Sequence, residues 1–188
     1  MHQITRNYII VLRHTIMLAH ANHNIWLCYK KPYTRRKYLS TMNRHLSFFS
    51  TSLHAHFVAM IIALYRLLET KKETVNLNSF LKVLKEKENF DRLSLGYLKS
   101  RITRMKPSWL KVNRVRNNIF AHRRAGISSD EIFRRSGLSY KDFRQLIRNS
   151  FNFVEHVVIL LDDSPLSYRI TWGHKATLRI LEILHNEN

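Results

Sequence analysis

The chain has 188 residues, with 32 lysines and arginines against 13 acids and a formal net charge of +19. That imbalance argues for a polyanionic partner, nucleic acid first, the alternative being a basic protein balanced by an acidic one. A single cysteine, Cys28, excludes an intrachain disulfide and points to a reducing compartment.

Four glycines and three prolines are too few to interrupt helices often, so the chain is expected to be all-α. The length suits one helical domain, 1–188, with a core over about 4–161 and a C-terminal extension over 166–188. No signal peptide is evident. Apolar runs such as 57–65 fall short of the roughly 18 residues that span a bilayer. A soluble, cytoplasmic protein is expected.

In chain order, Ile9, Leu12, Ile16, Ala19, His23 and Trp26 recur at helical spacing and predict a helix over about 4–29. A basic break over 30–37 contains Pro32. A long helix follows over about 38–69, then a polar connection over 69–78. Asn78 or Ser79 would cap a short helix over 80–88. Another runs over 92–105, and Pro107-Ser108 marks a restart. The restarted helix stops before Gly126. Ser128-x-x-Glu131 reads as a capping box for a short helix that Gly137 ends. Ser139-x-x-Asp142 caps the next, over about 140–161, and Pro165 follows it. A terminal helix lies near 175–185. The expected architecture is a bundle of four main helices with short additional ones.

The stretch Arg116-Asn117-Asn118-Ile119-Phe120-Ala121-His122, followed by Arg123 and Arg124, carries the chemistry. A histidine near its reference pKa of about 6.5 moves protons in both directions. An arginine fork neutralises a phosphate under attack. Similar pairings occur at Arg13/His20, Arg169/His174 and Arg179/His185, but without the amide after the arginine or the aromatic-Ala-His ending. At about 100° per residue, Trp109, Val112, Val115, Ile119 and Phe120 form one apolar arc, and Arg116 falls within it. A guanidinium there needs a carboxylate, a carbonyl or a bound anion. Glu155 is one candidate mate, making the pair purely structural. The other reading places Arg116 where phosphate arrives. On a regular helix Arg116 and His122 point about 120° apart. A shared site therefore needs a loosened helix end or two copies facing each other.

Arg116-Asn117, four residues, then His122, on a late helix of an all-α chain, resembles the signature of HEPN-domain ribonucleases. The string is more similar to the AbiU-like abortive-infection branch. Upstream, Ala63-Leu64-Tyr65-Arg66-Leu67-Leu68-Glu69 closing a second helix fits the same pattern. The resemblance covers about 4–161 and implies a helical bundle, a homodimer with a composite site, and metal-independent RNA cleavage. It makes Arg116, Asn117 and His122 the catalytic set, with Lys111, Arg114, Arg123 and Arg124 as substrate-binding residues. RNA is the expected substrate, an antitoxin or regulatory protein is an expected partner, and no cofactor or membrane is called for. Relatives paired with nucleotidyltransferase antitoxins often carry tyrosine two residues after the histidine. Here Arg124 occupies that position, so tyrosine modification there is not expected.

Three rivals remain. A HEPN-type fold could bind RNA or protein without catalysis. Residues 129–140 look superficially like a helix-turn-helix, but the second helix runs on into Val157-Val158-Ile159-Leu160-Leu161, which must be core. A metal site at His20-x-x-His23 or His54-x-His56 lacks a neighbouring Cys or acid at ligand spacing.

Overall fold

A computed structural model describes residues 1–71, 73–120, 129–163 and 172–187. Among these the protein is all-α, with no strand: α1 (Gln3–Lys30), α2 (Pro32–Arg44), α3 (Leu46–Arg66), α4 (Leu77–Lys87), α5 (Arg92–Phe120), α6 (Ser129–Arg135), α7 (Tyr140–Leu160) and α8 (Trp172–Asn186). The chain divides into two compact units. Unit 1 comprises Met1–Ile16 and Ile61–Ser167; unit 2 comprises Met17–Met60 and Tyr168–Asn188.

The apolar arc read along α1 is the buried one: Ile9, Leu12, Ile16, Ala19, His23 and Trp26 are all enclosed. In unit 1, α5 packs against α7, α4 and α6. Leu98, Met105, Val112 and Val115 of α5 meet an interior that includes Phe143, Phe153, Val154 and Val158 of α7. Phe80 of α4, fully buried, has Tyr8 stacked at 5.7 Å and Phe153 at 6.5 Å. A well-defined ring cluster of this kind stabilises by about 3 kcal/mol per fully buried aromatic. Arg13 of α1 meets Glu155 of α7 in a two-pronged ion pair, 2.8 and 2.9 Å, with both side chains largely shielded from water.

Several boundaries differ from those expected. The basic segment after Lys30 is helical, because Pro32 sits at the first position of α2, where its missing N–H costs nothing. The long second helix is divided at His45, whose φ of −110° and ψ of 42° leave the helical region. The cap of α4 is Asn76, with Ser79 as the reciprocal partner in a capping box. Asn78 and Ser79 are thus inside the helix. Pro107 does not restart a helix, since α5 runs through it as one 29-residue element. The ring removes one backbone hydrogen bond, but Ile102, Met105, Trp109 and Val112 are buried on both sides of it and hold the helix together. Ser139 and Asp142 form the expected capping box of α7, and Gly137, at φ +65°, makes the left-handed turn before it. Ser128 and Pro165 lie outside the described residues.

Unit 2 has its own core of Tyr29, Tyr38, Phe49 and Leu181, with Met42, Leu53 and Leu178 packed on it. His185 of α8 closes it, edge-on to Tyr38 and bonded through Nδ1 to the Thr41 hydroxyl at 3.1 Å. Cys28 is fully enclosed, and burial pushes its thiol up against the opposing influence of the Thr34 hydrogen bond and Lys31. By length and composition α3 is apolar enough to cross a bilayer. That corrects the expectation that no run reaches the required length. An uninterrupted apolar stretch stops at the serines and at His54 and His56, whereas the helix as a whole carries them. Phe57, Met60, Ile61 and Leu64 of α3 are buried within the protein.

Candidate functional site

The site is built on the last turns of α5. This helix carries no acidic residue, while lysines and arginines recur from Arg92 to Arg116, so nothing on the element itself neutralises its positive charge. Its inner face is apolar: Trp109, Val112 and Val115 are buried, as the periodicity indicated. Arg116 is half-buried and Arg114, Asn117 and Asn118 are exposed.

Trp109 fixes the geometry. Its indole N–H donates to the Tyr65 carbonyl at 2.9 Å, supplying one of the donors that the last turn of a helix lacks. The two rings stack at 5.9 Å with 18° between their planes. The end of α3 is thereby pinned to α5, and the Tyr65 ring lies beneath Arg116, whose guanidinium carbon sits 4.7 Å from the ring centroid. Such a contact stabilises by about 0.5–1 kcal/mol and orients the fork without consuming its donors. One guanidinium nitrogen donates to the Asn117 side-chain oxygen at 3.0 Å.

The candidate mate Glu155 is claimed instead by Arg13, and Arg116 makes no ion pair with any described carboxylate. The arrangement leaves a positioned cation with donors to spare, suited to an anion. Tyr65 was not singled out by sequence reasoning. The signal was present: an aromatic at the end of a helix, within the string 63–69, one residue before a further arginine.

Lys111 reaches across to Asp142 of α7 at 3.2 Å. Burial alone would raise the Asp142 carboxyl, but hydrogen bonds from Ser139, Ser108 and Lys111 outweigh it and bring the pKa down to about 2. Lys111 is therefore tethered, whereas Arg114 stands in solvent with its carbonyl accepting from the Asn118 amide at 2.8 Å. His122, Arg123 and Arg124 lie outside the described residues. The competing pairs are partly committed elsewhere: Arg13 to Glu155, His20 to Asn24 at 3.2 Å, and His185 to Thr41. Among the described residues no group of three or more His, Cys, Asp or Glu gathers at metal-binding distance.

An all-α bundle whose longest described helix closes on an Arg-Asn pair has the architecture of a HEPN domain. Within that class, the family model described as AbiU2 matches residues 3–175. The chain belongs to this abortive-infection family, and the match runs through both compact units. No curated protein and no solved structure matches it.

Proposed function

We propose that the chain is a metal-independent endoribonuclease of a defence or toxin-antitoxin system. It cuts RNA by attack of a ribose 2′-hydroxyl on the adjacent phosphate. His122 takes the hydroxyl proton and returns one to the leaving 5′-oxygen, a shuttle suited to an imidazole near its ordinary pKa. Arg116 holds the phosphorane oxygens as charge builds on them. Asn117 orients the guanidinium. Arg114, Arg123 and Arg124 attract the RNA backbone through salt-sensitive contacts, and Lys111 adds charge from its tether on Asp142. The catalytic pair is completed across a homodimer, the arrangement that the resemblance to HEPN ribonucleases implies; one regular helix would hold Arg116 and His122 about 120° apart. A partner protein restrains the activity until it is needed.

The observation that carries this reading is Arg116 itself, poised over the Tyr65 ring with no described carboxylate to neutralise it. Membership of an abortive-infection HEPN family supports it. The test is cleavage of single-stranded RNA in excess chelator. Products should carry 2′,3′-cyclic phosphate and 5′-hydroxyl ends. Arg116→Ala and His122→Ala should each lower the rate about 100-fold or more with unchanged helical content. Arg116→Lys should rescue only part of the loss, because a point charge lacks the fork. Undiminished cleavage in both alanine variants, or cleavage that stops with chelator, overturns the assignment.

A further inference from the structure

The first acid of the chain is Glu69; the residues before it contain no aspartate or glutamate. Within that acid-free stretch, 30–44 holds Lys30, Lys31, Arg35, Arg36, Lys37 and Arg44. In unit 2 this segment forms α2, a helix about 20 Å long. It lies against the protein by Thr34, Tyr38 and Thr41, all buried. Its other side is open to solvent, with Arg35, Arg36 and Lys37 exposed beside Tyr33 and Leu39. Lys37 meets Glu182 of α8 at 3.7 Å with both groups exposed, a pairing that water and salt weaken.

Past α2 the chain turns into α3 at His45. Residues 43–48, which make this corner, are exposed without a break. They include Leu46, 62% exposed, and Phe48, 59% exposed. Phe48 stands edge-on to Phe49 at 5.2 Å, and Phe49 belongs to the core of unit 2. The corner therefore holds two large apolar side chains out in water on a firm base. Apolar groups displayed among cations mark a surface that lies on lipid. The cations meet anionic headgroups, and the leucine and phenylalanine enter the boundary between headgroups and acyl chains. RNA would use the same cations, but its bases stack on aromatic rings and guanidinium planes. The aliphatic Leu39 and Leu46 offer it neither.

We propose that α2 and the α2–α3 corner dock unit 2 on an anionic lipid surface, with Arg35 and Arg36 at the headgroups and Leu46 and Phe48 inserted. The attachment is peripheral. α2 lies in the plane of the interface, and α3 does not cross the bilayer, because Phe57 and Met60 keep it in the core of the protein.

The test is sedimentation of the full chain with vesicles of phosphatidylcholine alone and of phosphatidylcholine containing about one third phosphatidylglycerol. The anionic vesicles should retain the protein and the neutral ones should not. Raising salt to about 0.5 M should weaken retention about tenfold or more. Arg35→Gln with Arg36→Gln should weaken it by a similar factor. Leu46→Ser with Phe48→Ser, both at exposed positions, should also weaken it about tenfold with unchanged helical content. Phe48→Leu, which keeps an apolar side chain, should retain most of the binding, separating insertion from a folding defect. Arg116→Ala should bind vesicles as the wild type does, so that failure of the cleavage reading leaves this surface standing. No preference for anionic vesicles, or full retention of the serine variant, overturns the proposal. Retention that survives alkaline carbonate overturns it too, in favour of α3 as a span. Binding of a 2′-O-methyl RNA hexamer that weakens with the arginine pair, without any retention by vesicles, gives the surface to RNA instead.

Discussion

Asp142 shows how one carboxylate does three jobs. It closes the capping box of α7 with Ser139, accepts from Ser108 of α5, and pairs with Lys111 three residues further along the same face of α5. Its folded pKa of about 2 lies below the reference of 3.8. The stability it confers is thus fully present above that reference and lost as pH falls towards the folded value, amounting to about 2 kcal/mol. Thermal melts of the wild type should therefore fall in midpoint between about pH 4 and 2. Asp142→Asn should flatten that window and lower stability at neutral pH. An unchanged acid limb in the variant would remove Asp142 from this role. The residue scale was also where the sequence was least legible. Periodicity placed Arg116 on the inner arc of its helix, correctly, but could not say which neighbour fills that space. The candidate mate, Glu155, is taken by Arg13 from an element more than a hundred residues earlier, and an aromatic ring lies beside Arg116 instead. A helical wheel gives a face; it does not give the helix opposite.

At the scale of elements, helix existence was legible and helix interruption was not. The spacing on α1 and the Ser-x-x-Asp signal before α7 fixed those elements closely, because both are local patterns. Pro107 and His45 went the other way: the proline stands inside one helix, and an unremarkable histidine ends another. At Pro107 tertiary packing outweighs local preference; the break at His45, which is exposed, has no structural explanation. Pro107 is a standing cost within α5, offset by the buried residues on either side. Pro107→Ala should restore the missing backbone bond and raise stability by about 1 kcal/mol, measured as an upward shift in denaturation midpoint with an unchanged slope. A lower midpoint would mean that the proline itself is required by the packing of α5 on α7.

For the whole molecule, charge and family point the same way. A net charge of +19 sets a field that draws polyanions of any sequence or shape. Charge alone therefore selects nothing. Discrimination has to come from places where the charge is organised, and among the described residues α5 offers one: a guanidinium steadied on Tyr65. The all-α class was readable from the scarcity of glycine and proline. The division into two compact units was not, because α1 and α3 each contribute residues to both and leave no linker of distinctive composition.

The enclosure of Cys28 has a practical corollary. As the chain's sole sulfhydryl, walled off within unit 2 and disfavoured as a thiolate, it reacts only during openings of the surrounding helices. Its alkylation half-time under native conditions is a built-in clock for those excursions, expected to be far longer than that of a free thiol and to collapse in denaturant. Prompt labelling in native buffer would reveal a unit 2 that breathes far more readily than its tyrosine-lined interior suggests.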